Sequence, residues 1–120
     1  MITLPLPPDE LRTNRTQGHG FWEYQRKKKH YQTKCYVAIV SRDWPSREYP
    51  LHVTLTLYLG KGQRCDTWDV PAWAKSGLDM LKGRVFPDDD SSYLNPVTIL
   101  VLRDPANPRL EISWKEKLER

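Results

Sequence analysis

Asp66, Asp69, Asp88, Asp89 and Asp90 bracket one helical pattern in a chain whose overall balance is basic. Carboxylates drawn from both sides of a helix are the oxygen ligands that a hard cation such as Mg²⁺ takes, with Mn²⁺ as substitute. An ion held that way activates water and acts as a Lewis acid on a phosphoryl group. Lys75 lies about one and a half turns into the same pattern, roughly 8 Å along the axis, and helical side chains lean toward the N-terminus. Its ammonium is therefore expected to reach the carboxylates. There it would neutralise charge on a pentacovalent phosphate, or assist the attacking water or the leaving oxygen.

The charge is polarised along the chain. The total is 19 Lys and Arg against 15 Asp and Glu, a net +4. Between Arg12 and Lys34, however, seven cations (Arg12, Arg15, Arg26, Lys27, Lys28, Lys29, Lys34) face one acid, Glu23, a local +6. Between Asp66 and Asp90 six Asp face Lys75, Lys82 and Arg84, a local −3. A polyanion held by the first region and acted on by a metal in the second satisfies both. The same patterns also have plainer readings, as helix caps, a solvated turn and a solvated helix face. His19, His30 and His52 share no ligand spacing and read as surface or strand residues. Cys35 and Cys65 lack the paired spacing of a zinc or redox motif and read as buried reduced thiols, with a disulfide left open.

These residues need elements to position them. Ile2 to Leu6 is a β-prone segment stopped by Pro7 and Pro8, and Asp9 to Gly20 reads as a mobile loop. From about Phe21 to Val40, Tyr24, Tyr31, Cys35, Ala38 and Ile39 share one helical face, with Arg26 to Lys29 mostly off it. Trp44, Pro45, Tyr49 and Pro50 mark a loop. His52 to Leu59 alternates like a half-buried strand and stops at Gly60 and Gly62.

Pro71 opens a second helix in which Ala74, Leu78 and Leu81 follow i, i+4, i+7, and Asp69 stands where its cap belongs. Val97 to Leu102 and Leu110 to Trp114 read as strands joined in a hairpin through Asp104, Pro105, Asn107 and Pro108. The tail beyond Trp114 reads as a frayed helix. Trp22, Trp44, Trp68, Trp73 and Trp114 read as core and dimer-interface aromatics, with base stacking open for Trp22. The whole is one small α/β domain over residues 1–120, in the α+β sense. Its mixed sheet is covered by two helices in the order β-α-β-α-β-β.

The residues resemble the RusA-type Holliday junction resolvases of bacteria and their phages. Ile2-Thr3-Leu4-Pro5-Leu6-Pro7-Pro8 with Asn14 in a basic loop is similar to that family's N-terminal strand and signature. The stretch from Arg64 through Asp66, Asp69, Lys75, Leu78, Asp79, Leu81 and Pro87 to Asp88-Asp89-Asp90 is similar to its catalytic block. The resemblance implies a Mg²⁺-dependent endonuclease that nicks four-way branched DNA symmetrically, in recombination, repair or phage DNA processing. Asp66, Asp69 and Asp90, with Asp89, would hold the ion, and Lys75 would serve as accessory base or charge stabiliser. Arg12, Asn14, Arg15 and Arg26 to Lys29 would contact DNA. The sequence departs from the motif at its second carboxylate. Trp68 stands at that position and Asp69 where an Asn belongs, so either Asp69 replaces the ligand through a bulge or one carboxylate is lost. In the second case the chain is a branched-DNA-binding protein without activity. A homodimer is implied, since paired nicks need two sites related by a two-fold axis.

The remaining composition excludes some classes. No apolar run reaches the roughly 18 residues of a membrane span, and no leader pattern opens the chain, so a cytoplasmic protein is expected. With 38% hydrophobic residues the core is thin, and oligomerisation would help it.

Overall fold

A computed structural model describes residues 1–12, 20–39 and 49–115. In chain order it contains β1 (Ile2–Leu4), a 3-10 turn (Asp9–Arg12), α1 (Phe21–Ile39), β2 (Leu51–Leu59), α2 (Val70–Leu78), β3 (Leu94–Arg103) and β4 (Arg109–Lys115). The four strands form one mixed sheet in the order β1-β4-β2-β3, so with two α-helices the chain is a small α+β domain.

β2 is the organising strand because its alternation is apolar on one face and nearly closed on the other. Leu51, Val53, Leu55, Leu57 and Leu59 are all buried, and so is Thr56. Its two hydrogen-bonding sides are both used, antiparallel to β4 and parallel to β3. That arrangement corrects the expected hairpin. β3 and β4 do not pair; they flank β2, about 9.6 Å apart at two strand spacings. Their connection therefore crosses the end of β2 and is bonded to it. Asp104 N–H donates to the Leu59 carbonyl at 3.0 Å, and the Arg103 guanidinium donates to the carbonyls of Gly60 at 2.7 Å and Gln63 at 2.9 Å.

The expected apolar stripe of α1 is the one buried, through Tyr24, Tyr31, Cys35 and Ile39. The Tyr31 hydroxyl donates to the Pro5 carbonyl at 2.7 Å and ties α1 to the segment after β1. α2 starts at Val70 with Pro71 in its first turn and buries Trp73, Ala74 and Leu78. It stops at Leu78, short of the Leu81 that completes the pattern. Met80 and Leu81 remain buried in turns that lead to Gly83, whose φ of 76° suits a residue without Cβ. Gly77 lets α2 lie directly on β4, since a Cβ there would overlap the Leu110 Cδ2 methyl.

One further expectation changes in part. The start of the expected mobile loop is a 3-10 turn with Leu11 buried, closed by Leu11 N–H donating to the Pro8 carbonyl at 3.0 Å. Its remainder, residues 13–19, lies outside the described residues, as do Trp44 and the tail beyond Lys115. Of the tryptophans, Trp73 is core and Trp114 is half-buried edge-on to Phe86. Trp22 and Trp68 stand 81% and 88% exposed, because each points away from the apolar side of its segment. Cys35 and Cys65 are free thiols, the first buried and the second half-buried. Burial pushes the Cys35 thiol up to about 11.

Candidate nucleic-acid interface and acidic cluster

The acids divide between the two ends of α2. At its start, Asp66 makes a tight turn: its Oδ1 accepts from Trp68 N–H at 2.9 Å, and its carbonyl accepts from Asp69 and Val70. Asp69 occupies the N-cap position in the αR region without a side-chain cap bond, so its carboxylate is not spent on the helix. Trp68 projects into solvent between these two aspartates.

At the other end Lys75 and Lys82 gather three carboxylates. Lys75 Nζ donates to Asp79 Oδ1 at 2.9 Å and pairs with Asp89 Oδ2 at 3.5 Å. Lys82 Nζ lies 3.2 Å from Asp88 Oδ1 and 3.8 Å from Asp89 Oδ1. Asp89, its side chain 17% exposed, is held between two ammonium groups. Lys75 therefore turns away from the Asp66 and Asp69 end toward which it was expected to lean. Lysine preceding aspartate is the weaker i, i+4 order on an isolated helix. Asp89, arriving from the turn after α2, adds the second carboxylate that fixes the orientation.

The hydrogen bond to Asp79, more than Asp89, holds the Lys75 ammonium above its ordinary range. At neutral pH Lys75 is thus protonated, which suits a stabiliser of phosphate charge and not a free base. The Asp89 N–H donating to Asp88, aided by Lys82, holds the Asp88 carboxyl below the usual range. Asp90 serves the backbone instead. Its Oδ1 accepts from Ser92 N–H at 2.8 Å and its carbonyl accepts from Tyr93 and Leu94, which launches β3.

The basic segment meets this region at a cavity of about 360 Å³. Leu11, Tyr24 and Lys28 line one side, and Ala72, Lys75, Ser76 and Asp79 the other. A second cavity, about 260 Å³, runs along α1 past Leu6 and Pro8 and is lined by Lys27, His30, Tyr31 and Lys34. Among the described residues no carboxylate lines it. His30 and Lys34, not among the residues expected to contact DNA, follow Lys27 at successive spacings of three and four, which places the three on one ridge. Arg26 is exposed and paired with Glu23 at 2.6 Å, and Lys29 is also exposed. Arg12 is a packing residue: its guanidinium lies 4.3 Å from the Trp73 ring centroid and 3.1 Å from Asp9, with its side chain 20% exposed. Asn14 and Arg15 lie outside the described residues.

The expected ion site can be judged from its donors. Among the described residues no group of three or more His, Cys, Asp or Glu is placed to hold a metal ion. Asp79, Asp88 and Asp89 also have oxygens engaged by Lys75 or Lys82, so an ion would have to displace an ammonium. As arranged, these three side chains are bound to ammonium groups and do not by themselves form a cage for Mg²⁺ or Mn²⁺. No helix among the described residues is long and apolar enough to cross a membrane. In comparisons with known proteins, no family model, no curated protein and no solved structure matches this chain.

Proposed function

We propose that this chain is a RusA-type endonuclease, acting as a homodimer that binds four-way branched DNA and nicks it in symmetric pairs. One observation carries the reading. At a single cavity the basic helix presents Lys28, α2 presents Lys75, and Lys75 is bound to Asp89 from the acidic turn. Phosphates would lie along the Lys27, His30, Lys34 ridge and at Lys28. The protonated Lys75 would offset charge building on a phosphate under attack. Recognition would run through backbone shape and charge, with Trp68 available to stack on an unpaired base at the branch. The resemblance implies Mg²⁺ chemistry, but the donors as arranged do not cage an ion.

That mismatch favours a second reading, in which the protein binds branched DNA without cutting it. A labelled synthetic four-way junction separates the two, incubated with protein in Mg²⁺ or in chelator, beside Asp66→Asn and Asp89→Asn. Paired metal-dependent nicks lost in the variants support the endonuclease. A retarded junction left uncut supports the binding protein, and no retardation at low salt refutes both.

A further inference from the structure

β3 has the composition of a buried strand but not the burial. It forms one edge of the sheet, and Val97, Leu100, Val101 and Leu102 are 41–49% exposed, with Ile99 half-buried. Its register against β2 explains why. Val97, Ile99 and Val101 align with Val53, Leu55 and Leu57 on the helix-bearing face, where α2 reaches β3 but leaves Val97 and Val101 exposed and Ile99 half-buried. Leu100 and Leu102 fall on the opposite face beside Thr56 and Tyr58. Both faces are thus apolar and open. The backbone side turned away from β2 carries no strand among the described residues. Edge strands are ordinarily protected by charge, shortness or bulges. Here no charged residue occurs between Leu94 and Leu102, and Pro96, near the start, is the one residue without an N–H.

We propose that β3 pairs antiparallel with β3 of a second copy, extending the two sheets into one of eight strands. Self-pairing is favoured over another occupant by parity and charge. A two-fold axis perpendicular to the sheet keeps the helix layers on one side and sets odd residues beside odd ones. With Ile99 on the axis, Val97 and Val101 meet across it and Ile99 meets its counterpart, while on the other face Leu100 meets Thr98 and Leu102 meets Pro96. No like charges are opposed along the seam. Each copy's bare edge is covered by the identical edge, as an isologous interface requires.

Pro96 to Leu102, seven paired residues at about 3.3 Å each, make a seam of roughly 23 Å. With side chains on both faces this covers on the order of 500 Å² per copy, the low end of specific interfaces. A dissociation constant on the order of micromolar is expected. The seam deepens the dimer of the proposed function and rests on that reading only for its purpose, which is to set two α2 sites on one side of a continuous sheet.

Sedimentation velocity of the full chain without DNA, from about 1 to about 200 μM to bracket that constant, tests it. The expected result is conversion from the 14.1 kDa monomer to a dimer of twice that mass. Val101→Lys and Leu100→Lys, on exposed side chains, should each weaken the dimer at least tenfold with an unchanged circular dichroism spectrum. On a Cys65→Ser background, Ile99→Cys or Leu100→Cys should be joined by a short bis-maleimide, and Thr3→Cys on the opposite edge should not. A chain monomeric throughout, dimers indifferent to both lysines, or cross-linking only through Thr3→Cys would overturn the seam. A β3-paired dimer that ignores a four-way junction would refute the function and leave the seam standing.

Discussion

Gly77→Ala probes the contact that sets α2, and with it Lys75, on the sheet. The new Cβ would overlap Leu110 Cδ2 and stand 3.6 Å from Leu110 Cγ and 3.4 Å from the Tyr31 hydroxyl oxygen. Neither neighbour can give way easily. Leu110 is fully buried and registered against both Leu57 and Leu4, and the Tyr31 hydroxyl is bonded to the Pro5 carbonyl. Overpacking of this kind costs about 1–3 kcal/mol. Alanine returns about 1 kcal/mol of helix propensity over glycine. The expected net loss is up to about 2 kcal/mol, or several degrees in Tm for a domain of this size. Urea unfolding followed by circular dichroism reads it, with an unchanged m-value showing that the unfolded state is not the cause. Leu110→Val, which removes the obstructing reach, should make the double variant less destabilised than the sum of the two single changes. A Gly77→Ala protein as stable as the parent, or more stable, would refute the close approach.

Other perturbations bear on the site. Lys75→Met removes two pairs in which the lysine side chain is 60% exposed, and Lys82 stays beside the more buried Asp89, so stability should change by less than about 1 kcal/mol. Nicking of a four-way junction should nonetheless fall at least about a hundredfold, and equal cutting would remove Lys75 from the chemistry. Trp68→Ala should leave Tm unchanged and weaken junction binding by about 1–3 kcal/mol in a fluorescence titration, and no weakening would exclude stacking there. Lys34→Ala should lower the slope of log affinity against log salt by about 1, uniformly across DNA sequences, if the ridge holds phosphate. The Asp88 carboxyl is held below its ordinary 3.8, so its contribution is present above that pH and lost as pH falls through the lowered value. The Tm advantage of the parent over Asp88→Asn should accordingly be level from about pH 5 to about 9 and shrink below about 3.8. An advantage that grows in acid would contradict the pairing with Lys82.

Much of the framework follows from periodicity alone. The stripe Tyr24, Tyr31, Cys35, Ile39 and the trio Ala74, Leu78, Leu81 are all buried or nearly so, because apolar spacing of three to four admits one inward face. β2 was equally plain from its alternation. Pairing was not, because the stretch around Asp104 to Pro108 is compatible with a tight turn or with a crossing, and only competition for the two sides of β2 chooses between them. The same limit governed the tryptophans, where residue type predicts burial but the flanking turn decides it, as at Trp68.

The residues of the candidate site were legible by type and only partly by partner. Sequence alone determined that acids and bases cluster separately, which segments are helices or strands, and which faces are apolar, since these depend on neighbours within a few positions. Tertiary structure decided that Lys75 binds Asp79 and Asp89, that Arg12 packs on Trp73, and that β3 is left at an open edge. Each depends on groups far apart in the chain competing for the same few ångströms, and local sequence carries no record of which one wins.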